Sequence, residues 1–192
     1  MKTLAVIVLI VTMAISGGTA LAGMEKDEAI AKAQTMVAEM AETLKTQLQR
    51  AVKEEGFASA IHVCNAVAPS AAEEISARHN ARIHRVSLKP RNPNGAPDAY
   101  EAVVLTAMDA DQAKGELKQA YTEVVTENDG SKSLRFLKPI ITTSLCVNCH
   151  GAPDKLDPAA VAAIGKLYPG DKAIGYGENQ VRGAFSVKVP MK

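Results

Sequence analysis

The chain has no Trp, only three Phe and four Tyr among its 192 residues. An interior so short of aromatic rings must be filled by aliphatic side chains or by an apolar group brought from outside. Charge of neither sign is in excess, with 22 Lys and Arg against 21 Asp and Glu. Without residues 1–22, which hold one Lys and no acid, the two balance. That neutrality gives no reason to expect nucleic acid or an anionic membrane as partner. No internal repeat is visible. Cysteine is scarce and odd in number: Cys64, Cys146 and Cys149.

The N-terminus reads as an export leader. Lys2 supplies the positive start, Leu4 to Ile15 form an apolar run, and Ser16 to Thr19 break it. Ala20-Leu21-Ala22 offers a small-x-small cleavage site before Gly23. The run is too short for a comfortable membrane span. Contact with a membrane is expected only if the segment stays uncleaved. The expected organisation is a signal peptide over 1–22, then one domain over 23–192 in the periplasm.

Apolar spacing gives the layout of that domain. Val37, Met40, Leu44, Leu48 and Val52 make one stripe, which predicts a helix from about Glu25 to Glu55. Met36 and Met40 read as core. A second helix carries Phe57, Ile61 and Cys64 on one face, and Pro69 starts a third that runs to about His79. Ala81 to Leu88 is strand-like, and Lys89 to Pro97 is a loop by its Pro, Asn and Gly content. Asp98 to about Lys114 is helical, with Tyr100, Val103, Val104, Ala107 and Met108 on its apolar side and Gly115 at its end. Tyr121 to Thr126 and Leu134 to Leu137 flank Asn128-Asp129-Gly130 as a hairpin. A short helix near Pro158 to Leu167 precedes a last strand in which Phe185, Val187 and Val189 alternate with Ala184, Ser186 and Lys188. The expected fold is α+β, with helices first and an antiparallel sheet late.

The chemistry lies in Cys146-Val147-Asn148-Cys149-His150. A Cys-x-x-Cys-His run is the attachment site of a c-type haem: two thiols add to the haem vinyls and the His becomes an axial ligand. A zinc site would need two more ligands at paired spacing, and no second Cys-x-x-Cys or His-x-x-x-His exists. A redox dithiol usually opens a helix in a βαβ setting, which the flanks do not suggest. One covalently attached haem c is the expected cofactor. Class I cytochromes carry the motif early and a Met ligand well downstream, whereas here the sole later Met is Met191. A four-helix cytochrome bundle has no place for the hairpin or the last strand.

With two cysteines committed to haem, Cys64 has no disulfide partner within the chain. It is either a small buried hydrophobe, an intermolecular bridge, or the second axial iron ligand, held as thiolate. His84 is the second choice for that position. His62 lies about 200° from Cys64 around a helix and reads as a surface group, and Met108 reads as core. If the helix of Cys64 ends before Pro69, its partial negative charge disfavours a thiolate. Arg85, Lys89, Arg91 and Arg135 are candidates to meet the haem propionates, although each taken singly reads as a solvated charge.

Around Cys64, Ala60 to Pro69 resembles the Cys-Asn-x-x-Ala-Pro segment of a family of exported monohaem domains with a PAS-like fold, known from a cyanobacterial cytochrome. Arg91-Asn92-Pro93-Asn94-Gly95-Ala96-Pro97-Asp98 and Val181 to Val187 resemble further segments of that family, in the same order. The resemblance implies a sheet-backed pocket, with His150 and Cys64 as axial ligands. It also implies a redox or sensing role, often as the input domain of a receptor. Since no output domain comes after Lys192, sensing would act through a separate redox or signalling protein.

A thiolate ligand favours ferric iron, so a low reduction potential is expected. Loss of the sulfur on reduction would open a place for a small gas ligand, and redox sensing or signalling is the leading expectation. A periplasmic electron carrier with fixed ligands is the alternative. A haem enzyme of peroxidase type ranks last, because no acid–base group is placed beside the iron. In so aromatic-poor a chain, a haem bound only by the folded state adds stability. Haem-free protein is therefore expected to melt well below the loaded form, and equal melting temperatures would contradict this.

Overall fold

The structure, a computed structural model, describes the backbone of residues 17–191 and the side chains of residues 25–191. Helix α1 spans Gly17–Glu55. It begins inside the stretch read as a leader and its break, because Ala20, Leu21 and Ala22 are strong helix formers beside the Gly pair. The rest of the leader lies outside the described residues.

Helix α2 (Phe57–His62), a π-helical turn (Val63–Val67) and helix α3 (Ala68–His79) succeed one another without a break. Pro69 has no N–H for the carbonyl four residues back, and the Ala68 N–H bonds Val63 O, five residues back. The widened turn absorbs the missing bond. The helix therefore does not end before Pro69, and Cys64 sits within the run rather than at a negative helix terminus.

Strands β1 (Arg82–Val86), β2 (Tyr121–Thr126), β3 (Lys132–Ile141) and β4 (Val181–Met191) form one antiparallel sheet in the order β1-β4-β3-β2. The β2–β3 hairpin forms where the Asn-Asp-Gly turn placed it, pairing Tyr121 with Leu137 and Thr126 with Lys132. One sheet face presents Ile83, Leu134, Phe136, Val187 and Val189 to Ala33, Met36, Val37 and Met40 of α1 and to Ile75 of α3. Helix α4 (Ala99–Lys114) covers the other face, where Leu105 and Met108 meet Val86, Leu137 and Ala184. The alternation in β4 thus separates two buried faces rather than core from solvent. The architecture is α+β, a PAS-like antiparallel sheet with helices ahead of it, as the sequence predicted.

Helix α4 is rotated from its predicted setting. Asp98 and Glu101 form a capping box at its start, and Gly115 ends it at φ 74°. Val103 is 70% exposed and Ala107 is exposed, while Leu105 and Glu101 face inward. The cause is polar. Glu101 Oε1 accepts a hydrogen bond from Ser186 Oγ at 2.6 Å and lies 3.2 Å from His84 Nε2 and 3.3 Å from Arg135. Its Oε2 accepts the Asp98 N–H at 2.9 Å. A hydrophobicity count cannot foresee a helix turned by a buried acid.

Burial alone would raise the Glu101 carboxyl, but hydrogen bonds from His84, Ser186 and the Asp98 N–H pull it down from 4.5 to about 2. A carboxyl lowered in the folded state contributes stability above pH 4.5 that is lost as the pH falls toward 2. The shift corresponds to about 3 kcal/mol. Glu101→Gln is expected to lose stability of that order at pH 7 and to flatten the acid limb over that window, measured by urea unfolding at several pH values.

Candidate functional site

The Cys-x-x-Cys-His motif forms a short helix, α5 (Ser144–His150), directly after β3. The sequence did not signal this helix. Cys146 and Cys149, three residues apart, share one side of it, and His150 stands at its end. A Cβ on Gly151 would run into the Val147 carbonyl, so the turn after His150 accepts only Gly. The strand pairs on both sides of this point are antiparallel, so the helix does not belong to a βαβ unit.

Two loops hold the motif. His150 O accepts the Tyr176 N–H at 2.9 Å, and Gly151 O accepts the Gly175 N–H at 2.8 Å. From the other loop, the buried Arg91 donates to Cys149 O, to Ala173 O at 3.4 Å and to Asp171 Oδ2 at 3.0 Å. Asn92 and Gly95 shape the turn that delivers it: Asn92 Oδ1 accepts the Asn94 N–H, and Gly95 O accepts the Ser87 N–H. Helix α6 (Pro158–Leu167) closes the end, packing Ala160, Ala163 and Ile164 with Tyr168 on Ile61 of α2 and on Cys149.

These elements enclose a cavity of about 240 Å³. Cys64, Cys146, Cys149 and His150 all line it, although Cys64 lies far from the others in sequence. Its apolar wall comes from Leu48 and Val52 of α1, Phe57 and Ile61 of α2, and Ile140, Ile141 and Leu145. Tyr168 also lines it. The α1 stripe therefore serves two surfaces, packing on the sheet with its first half and facing the cavity with its last. Among the described residues no three His, Cys, Asp or Glu gather where a bare ion could be held. The four donors surround a space instead of meeting at a point. That suits a metal carried in the middle of a larger ring, and it does not suit zinc.

The polar groups fit an anionic guest. Arg85, Arg91 and Arg182 line the cavity. Arg91 pairs with Asp171, but among the described residues Arg85 and Arg182 have no carboxylate within 4 Å. Arg91 Nε is buried without a partner. Such an uncompensated group is costly unless an acceptor arrives. Haem propionates are acceptors of this kind.

His150 Nδ1 lies 2.7 Å from Ala173 O. In the tautomer that donates this bond, Nε2 keeps its lone pair for a metal. Desolvation, then the charges of Arg182 and Arg91, hold the imidazole well below its ordinary pKa, so it stays neutral. Burial pushes the Cys149 thiol up to about 11, which keeps it protonated at neutral pH in the haem-free fold.

Other candidates fall elsewhere. His84 stands on the α4 side of the sheet against Glu101, so it is removed from the distal position: a one-residue step along β1 sends Arg85 to the cavity and His84 away from it. Arg135 is removed as a propionate partner for the same reason, being held by Asp98 and Glu101. Lys89 lies over the Tyr176 ring at 5.0 Å and does not line the cavity. His62 is exposed and Met108 is core, as predicted.

A family model described as Tll0287-like matches residues 23–190. The chain belongs to the Tll0287-like family. Among solved structures, the crystal structure of the cyanobacterial haem-protein Tll0287 resembles it with a TM-score of 0.64 at 25% identity, covering 85% of this chain and 95% of that one. No curated protein matches. The family match spans Cys64, the motif and Arg182 together.

The sequence missed the cavity role of Arg182, although its segment was one of those that resemble the family. It also missed that Leu48 and Val52 face the cavity. The signal was there for the second pair, because an apolar stripe longer than the sheet is wide needs something else to cover.

Breaking the buried Arg91–Asp171 pair from one side leaves an uncompensated charge. Arg91→Met is expected to cost about 3–5 kcal/mol in urea unfolding. Cleavage by a protease should then begin in the 168–177 loop that Arg91 ties down. A loss below about 1 kcal/mol would show that the tie is dispensable.

Proposed function

We propose that the chain is an exported, periplasmic monohaem c-type cytochrome acting in redox sensing or signalling through a separate protein partner. Cys146 and Cys149 would hold the haem covalently as thioethers, and His150 Nε2 and Cys64 Sγ would supply ligands to its iron. The observation that carries this reading is the single cavity that gathers the three motif residues with the distant Cys64. The cationic rim of Arg85, Arg91 and Arg182 supports it.

A haem held there supplies a one-electron ferric–ferrous couple. His150 is fixed by Ala173 O and by the two loops that bond its backbone. Cys64 stands in the π-helical turn between α2 and α3. Single π-helical turns of this kind are frequent at functional sites. As thiolate, Cys64 Sγ is a ligand; once it takes up a proton it is a poor one. Because the turn runs into α2 and α3 without a break, a shift at Cys64 would move both helices together and give a partner two states to distinguish.

Absorption and EPR spectra of the ferric and ferrous protein test this directly. Cys64→Ala is expected to change the ferric spectra while leaving the haem attached. Cys146→Ser with Cys149→Ser is expected to release haem into acidified organic solvent. Unchanged spectra in Cys64→Ala would remove Cys64 from the iron. Thiolate ligation retained in both oxidation states would favour a simple electron carrier.

A further inference from the structure

We propose that Arg182 is a positioning residue that places a fixed positive charge behind His150 and raises the reduction potential of the site against the lowering effect of a Cys64 thiolate. The proposal rests on His150 being an axial ligand. Arg182 Nε lies 3.2 Å from His150 Nδ1, on the side of the ring away from Nε2. Its Nη1 donates to Ser87 Oγ at 2.8 Å and to Lys89 O at 3.3 Å. The guanidinium also lies over the Tyr176 ring at 5.3 Å, and Tyr176 meets His150 edge-on at 6.4 Å. These partners are neutral, and among the described residues no carboxylate comes within 4 Å. A guanidinium does not lose its proton, so it carries a full charge 3.2 Å from His150 Nδ1, and Asp171 acts on it only from beyond ion-pair distance.

His150 Nδ1 can satisfy only one of its two neighbours. With Nε2 given to a metal, Nδ1 carries the proton and donates it to Ala173 O at 2.7 Å. The Arg182 N–H then has no lone pair to meet and acts on the imidazole through its charge alone. Oxidation adds positive charge on the far side of that ring, and a nearby cation in a partly dry site disfavours it. Arg91 works in the same direction, since its Nη2 reaches Ala173 O at 3.4 Å and draws on the acceptor that would make the imidazole more electron-rich.

The test is a spectroelectrochemical titration of the full haem-loaded protein as wild type, Arg182→Gln and Arg182→Lys. Arg182→Gln is expected to raise the ferric-to-ferrous ratio at a given potential about tenfold, a midpoint about 59 mV lower. Arg182→Lys keeps the charge and is expected to restore most of the shift, whereas a merely structural role would move both variants alike. Should Arg182→Gln fail to fold, Ser87→Ala decides, because it frees Nη1 and is expected to shift the ratio the same way by less. Histidine ligation with an unchanged midpoint in these variants overturns the proposal alone. Wild-type spectra without a histidine ligand overturn it together with the reading of the site.

Discussion

The buried Arg91 guanidinium is the interaction on which the cavity depends. A cation with its side chain only 6% exposed must be paired and bonded, or it unfolds its surroundings. Asp171 supplies the charge, and Cys149 O and Ala173 O supply acceptors. One side chain thereby joins the loop after β1, the end of α5 and the loop before β4. Those three segments frame the cavity on the His150 side. The unpaired Nε is the part of this network that still lacks an acceptor.

The sheet explains why the site lies at one end of the domain. Both faces of β4 are covered, one by α1 and the other by α4. The cavity with the motif opens where α1 runs past the sheet and α2, α5 and α6 converge. On the opposite face, Glu101 of α4 pairs with His84 and Arg135, and so takes two plausible candidates out of the site.

Much of this was legible in advance. The helices at 57–62, 99–114 and 158–167, the hairpin, the last strand and the third helix starting at Pro69 all arise from apolar period, caps and turn residues. The features that were not legible have physical causes. The start of α1, the π-helical turn and the rotation of α4 each depend on how backbone groups or a buried carboxylate find partners. Hydrophobic period carries no record of such partners. Helix α5 is too short for any period to show.

Cys146, Cys149 and His150 lie within five residues of one another, so their spacing is set by the chain rather than by folding. The sequence also marked Cys64 as a thiol without a use. Which groups join them depends on how distant segments pack. A step of one residue along a strand selects Arg85 over His84, and the approach of β4 brings Arg182 to within 3.2 Å of the His150 ring. These are long-range placements, fixed by strand register and by the pairing of buried charges, and no local pattern encodes either.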